Sequence, residues 1–150
     1  MIYPAASVVG PPNDLSYVVR IQAPGGSVLL PGDIELKAET RLLRDSPNDL
    51  VADIVVAPHH GSAISFSESF VAQVGAKFVV FAACYRNRFN FPRPRVVRRY
   101  LEHGGVTRTS GNDGAIEFLV SDRLHLPRVY RSTHRRYWHH RDFTEAKSGR

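Results

Sequence analysis

A single cysteine, Cys84, among 150 residues excludes an internal disulfide and any zinc cluster built from several thiolates. It ends the apolar stretch "VVFAACY" (79–85), which predicts a plain core thiol at the end of a buried strand. No apolar run approaches the ~20 residues that a membrane-crossing helix needs. The opening "MIYPAASVVGPPND" lacks both a basic start and a long apolar core, so it does not read as a secretion signal. The chain as given is therefore expected to be soluble. Internal repeats and interior linkers are also absent, which predicts one folded unit. Lysine is scarce: 17 of the 20 basic residues are arginine, whose planar fork matches phosphate better than a lysine point charge does.

What is present is enough for a globular domain. Hydrophobic residues make up 43% of the chain and aromatics 10%, and 150 residues can bury a substantial core. The formal charge of +6 hides an asymmetry. Residues 1–75 carry 4 basic and 8 acidic side chains, a net of −4, whereas residues 76–150 carry 16 and 6, a net of +10. A one-sided basic face suits a polyanionic partner, with a solvated surface as the plainer alternative.

Periodicity gives the elements. The first 14 residues read as irregular lead-in. "LSYVVRIQ" (15–22) and "SVLLPG" (27–32) read as a hairpin around the turn "APGG" (23–26). "DIELKAETRLLRD" (33–45) predicts a helix with Asp33 as its N-cap. "LVADIVVAP" (50–58) and "AKFVVFAACY" (76–85) are continuous apolar runs, the pattern of strands buried on both faces. "FSESFVAQVG" (66–75) and "RPRVVRRYLEHGG" (93–105) predict glycine-terminated helices. "VTRTS" and "GAIEFLV" (114–120) flank the turn "GNDG" (111–114) as two further strands, and the tail from Asp122 has no clear period. Strands alternating with helices predict an α/β layered fold.

Asp33 and the pair His59–His60 each directly follow a strand, at the end where α/β sheets collect ligand sites. Imidazole and carboxylate converging there suit a hard or borderline metal, zinc or manganese. Two plainer readings stand beside this one. Asp33 can be a helix cap, and histidines between Pro58 and Gly61 can simply order a tight turn.

The order "NDLSYVVRI", "SVLLPGDIELKAE", "LVADIVVAPHHGSAISFSESFV", "AKFVVFAACYRNRFNFPRPRVVRRY", "TSGNDGAIEF" resembles the C-terminal metallo-β-lactamase-like domain of the ComEC family of competence proteins. The likeness runs from Tyr3 to Phe118 and takes in the ending "RRYWHHR". It implies the C-terminal half of an αββα sandwich over residues 1–121, followed by a basic tail over 122–150. It further implies phosphodiester chemistry at a zinc or manganese centre, transforming DNA as substrate, and a membrane channel portion in the bacterial inner membrane. By the resemblance Asp33 and His59 are the metal-binding and catalytic residues, His60 is a second candidate ligand, and Ser62 and Ser65 shape the loop.

Two departures qualify that reading. The "HxHxDH" motif that supplies most ligands in this fold is absent, so the chain is expected to begin after the point where it lies. Where the family has Gly-His-Pro after "YRNRF", this chain has "NFP", with Phe91 in place of a histidine. The chain alone is therefore expected not to be a competent hydrolase. The segment "YRNRFNFPRPRVVRRY" (85–100) carries Arg86, Arg88, Arg93, Arg95, Arg98 and Arg99, interleaved with Tyr85, Phe89, Phe91 and Tyr100. That mixture suits single-stranded DNA, guanidinium on phosphate and rings on bases; alternatively, the rings are core and the arginines reach to solvent. In the tail, Tyr137 and Trp138 are candidates for docking on the domain, and His139 and His140 for adventitious metal. A missing second sheet predicts an exposed apolar face over strands 53–57 and 78–83, with self-association through it. Two other functions remain open on these residues: a non-catalytic nucleic-acid-binding module, and half of a split metallo-hydrolase.

Overall fold

The computed structural model describes residues 1–4, 9–134 and 136. Tyr137, Trp138, His139 and His140 lie outside the described residues. The elements in chain order are β1 (Val19–Ala23), β2 (Gly26–Leu30), α1 (Leu36–Asp45), β3 (Ile54–Val56), α2 (Glu68–Val74), β4 (Phe78–Phe81), α3 (Pro94–Glu102), β5 (Val106–Thr109), α4 (Ser110–Asp113), β6 (Ile116–Glu117), β7 (Arg128–Val129) and α5 (Tyr130–Thr133). Short 3₁₀ turns occupy Asn13–Leu15, Pro47–Leu50 and Pro58–Gly61.

Five strands form one sheet in the order β1-β2-β3-β4-β5, in which only the β1–β2 hairpin is antiparallel. This is the α/β architecture that the alternation predicts. Three successive right-handed crossovers, all advancing in one direction, put α1, α2 and α3 on the same face. Accordingly α1 packs on α2 and α2 on α3. Leu29, Val55, Val79 and Phe81 point into that layer and meet Ala38, Leu42, Phe70, Val71, Val96 and Tyr100 in one buried cluster.

The opposite face is only partly covered. Register aligns Ile21, Val28, Ile54, Phe78 and Val106 in one row across it. The segment after β6 crosses the middle of the row: the Phe118 ring lies 5.5 Å from that of Phe78, and Gly25 N–H donates to Ser121 O at 2.9 Å. Ile54 is thereby buried, so the apolar face expected to be exposed over 53–57 and 78–83 is instead largely covered, and it is Ile21 and Val106 on the two edge strands that stay about half exposed, at 51% and 47%. Leu30, Val56 and Val80 are half-buried.

Several boundaries differ from the sequence expectation, for local reasons. Helix α1 starts at Leu36 with Glu35 as its N-cap, so Asp33 is not the cap. The run 50–58 keeps only three residues as strand, because Leu50 ends a 3₁₀ turn and Pro58 opens another. The turn 111–114 becomes helix α4, braced by Asp113 Oδ2 accepting from Thr109 N at 2.9 Å. Cys84 is exposed rather than a core thiol. Strand β4 ends at Phe81, and the chain has left the sheet before the thiol is reached.

Candidate functional site

Three consecutive parallel strands deliver the candidate residues to one edge of the sheet. Asp33 follows β2, His59 and His60 follow β3, and Ala82–Cys84 follow β4. Together with Asn87, Phe89 and Phe91 they line a cavity of about 380 Å³. Its place outside the carboxyl ends of the strands is the usual ligand position in an open α/β sheet.

The histidine turn is strained. His59, His60 and Gly61 all have positive φ, at 45°, 56° and 88°. A left-handed non-glycine residue costs roughly 1–2 kcal/mol, so the surroundings must hold it. His59 N–H donates to Gly32 O at 3.1 Å, and Gly61 O accepts from Arg93 N–H at 3.0 Å. Gly61 is also packed too closely for a side chain: a Cβ there would lie 2.6 Å from Pro92 Cβ and 2.8 Å from Phe81 Cδ1. Ser62 and Ser65 are buried, and Ser65 Oγ donates to Ile34 O at 2.9 Å, in keeping with loop-shaping roles.

Two imidazole–carboxylate pairs result. His60 Nε2 lies 3.8 Å from Asp33 Oδ1, and His59 Nδ1 lies 3.7 Å from Glu35 Oε1. Both separations exceed hydrogen-bond length. His59 Nδ1 is buried and has no hydrogen-bond partner among the described residues. Its ring meets Phe91 edge-on, with centroids 6.1 Å apart at 71°. Sequence reasoning missed Glu35, reading it only as a helix former two residues after Asp33. It also missed the support beneath: Asn13 Nδ2 donates to Glu35 Oε1 at 2.8 Å, and Glu35 N–H donates to Asp14 Oδ1 at 2.9 Å. In sequence, 13–14 belongs only to an irregular lead-in, and its partner at 35 lies beyond any local pattern.

A catalytic zinc takes about three protein ligands. Among the described residues no group of three or more His, Cys, Asp and Glu side chains comes together as a metal site. Asp33, His59 and His60 therefore do not fit a complete centre for zinc or manganese.

The six candidate arginines divide. Arg86, Arg88, Arg93, Arg95 and Arg98 are exposed, whereas Arg99 is half-buried and donates to Phe66 O. Arg95 Nη2 reaches Ala63 O at 2.9 Å. Arg95 and Arg99 thus also tie α3 to the loop after the histidines. Around the cavity mouth, the Arg88 guanidinium sits 4.6 Å from the Phe89 centroid and that of Arg93 5.8 Å from Phe91. Arg86 lies 5.2 Å from the Tyr85 centroid. The Phe89 and Phe91 rings stack at 5.5 Å and 21°. Asn87, another residue the sequence reading passed over, organises this loop: its side chain accepts from Phe91 N–H at 3.0 Å and donates to Phe91 O at 2.7 Å and Cys84 O at 2.9 Å.

Behind the site, Glu39 of α1 is fully buried, accepting from Phe66 N–H at 2.5 Å and Ser67 N–H at 2.8 Å. Burial pushes its carboxyl above the ordinary glutamate range, against the opposing pull of these two bonds and of Arg99. Tyr100 is raised well above the usual phenol value, first by burial and then by the Glu39 charge.

The sequence relatives include proteins named for competence and for the ComE operon. The chain is 32% identical over 119 residues to ComE operon protein 3 of Bacillus subtilis, covering 79% of this chain and 15% of that protein. It is 30% identical over 137 residues to competence protein ComA of Neisseria gonorrhoeae, covering 87% of this chain and 19% of that one. Recombination protein 2 of Haemophilus influenzae is 28% identical over 115 residues, 76% of this chain and 14% of its own length. The chain is thus a relative of the competence proteins and spans less than a fifth of the length of these three. No family model and no solved structure matches it.

Proposed function

We propose that this chain is a strand-handling segment of a competence protein that takes up DNA, built on the C-terminal half of a metallo-β-lactamase-like fold. The observation that carries the reading is the arginine–aromatic loop 85–93, which sets exposed Arg86, Arg88 and Arg93 beside rings at the cavity mouth. Guanidinium groups beside exposed rings suit a single strand, whose phosphates and base faces are both accessible. Relatives named for competence support DNA as the partner. In the whole protein the segment works beside a membrane channel portion in the bacterial inner membrane. No helix among the described residues is itself long and apolar enough to cross a membrane. The test is single-stranded DNA binding by the full chain at rising salt. Each phosphate neutralised should steepen the log–log slope by about 0.7. Replacing Arg86, Arg88 and Arg93 together by alanine should flatten it by roughly 2. Salt-independent binding, or none, refutes the reading.

A second reading, half of a split metallo-hydrolase, is favoured by the buried, unpartnered His59 Nδ1 and by the two imidazole–carboxylate pairs. It requires further ligands from outside the described residues. Zinc and manganese content, with nuclease activity, should be measured on this chain beside Asp33→Ala and His59→Ala. Metal-dependent cleavage by this chain alone, lost in both variants, would overturn the expectation that it is not a competent hydrolase by itself. Salt-sensitive binding without metal or cleavage leaves a nucleic-acid-binding module.

A further inference from the structure

We propose that the cavity beneath Phe89 and Phe91 captures one unstacked nucleobase of a single DNA strand, while the adjoining phosphates run over Arg88 and Arg93. This rests on the strand-handling reading and assigns the cavity a role that metal chemistry does not require. The cavity's size, about 380 Å³, falls in the range of small-ligand sites. Its mouth is aromatic: Phe89 remains 52% exposed, and the near-parallel Phe89–Phe91 stack presents a ready-made face to a third ring. The two guanidinium groups over these rings provide cation–π contact and a charge for phosphate on the same platform.

The interior is unsuited to a bare phosphate. Asp33 lines it, and a phosphate brought there without a metal would meet that carboxylate's repulsion. A base edge is different, because its N–H groups can donate to Asp33 and its ring atoms can pair with His60, which also lines the cavity. Flipped bases are held in the same way, by stacking on one side and edge hydrogen bonds within.

The platform is also assembled in advance. Asn87 closes the loop on both Phe91 N–H and Phe91 O, and Arg93 N–H anchors it to Gly61 O in the histidine turn. A loop already held in its binding geometry loses little entropy when the ligand arrives.

The test compares the full chain with Phe89→Ala, an exposed position whose truncation spares the fold. Two probes are used: a single strand carrying 2-aminopurine, whose emission is quenched on stacking, and a strand of equal length that is abasic throughout. Wild type should quench the probe and prefer it to the abasic strand by about tenfold, as expected for one stacked base. Phe89→Ala should lose both quenching and preference, so that it binds the two strands equally. Phe91→Leu, which keeps an apolar side chain against His59, should weaken quenching without abolishing it. Equal wild-type affinity for the two strands, unaltered by Phe89→Ala, overturns base capture alone and leaves strand handling intact. Failure of wild type to bind either strand overturns both.

Discussion

Glu39 offers the most quantitative test of how the site is held. The side chain reaches from α1 to the two amides that open α2, at Phe66 and Ser67, so it acts as an intramolecular anchor for the loop carrying "HHGS". Glu39→Ala leaves two buried donors without an acceptor, each worth about 1–3 kcal/mol. Relief from burying a charge offsets part of this, because burial raises the carboxyl's pKa and so penalises the ionised form. A net loss of about 3 kcal/mol follows, which for a chain of this size lowers Tm by roughly 10 °C. Glu39→Gln keeps an acceptor for one amide but presents an NH₂ to the other, so it should lose about half as much. The pH dependence separates charge from geometry. The folded pKa lies above the ordinary value of 4.5, so the folded state holds the proton more tightly than the unfolded one. The associated stability is fully present below about 4.5 and is lost as pH rises through the folded value. The gap in Tm between wild type and Glu39→Gln should therefore shrink as pH rises across that window. Thermal melts by circular dichroism at a series of pH values measure it. A Glu39→Ala chain as stable as wild type, or a gap that widens with pH, would refute the reasoning.

Two further outcomes follow from surface exposure. Cys84 is exposed at the cavity wall, so a thiol reagent should modify it in the folded protein at a rate close to that of the unfolded chain; protection until denaturation would contradict its placement. The half-covered sheet face should drive self-association, and Ile21→Lys with Val106→Lys should shift the protein toward monomer in light scattering. A sharp wild-type monomer at high concentration would count against this.

The α/β alternation was readable because apolar runs of strand length and amphipathic helix periods are local properties of the chain. Strand ends were less legible. The run 50–58 is apolar apart from Asp53, but the 3₁₀ turns Pro47–Leu50 and Pro58–Gly61 at its two ends leave only Ile54–Val56 to pair as strand. Cys84 was misplaced for the same reason, since its neighbours look like core while the sheet ends at Phe81.

By itself, the sequence determined the class of fold, the placing of Asp33 and His59–His60 after strands, and the concentration of arginine among aromatics over 85–100. These depend on residue type and short spacing. Tertiary structure alone decided that Glu35 faces His59, that Asn13 and Asp14 support Glu35, and that Glu39 holds Phe66 and Ser67. Those partners lie more than twenty residues apart, and only the β1–β2 hairpin and the crossover that follows it bring them together. The same folding turned "NFP" into a stacked pair of rings over a cavity, a property that no single residue in that stretch announces.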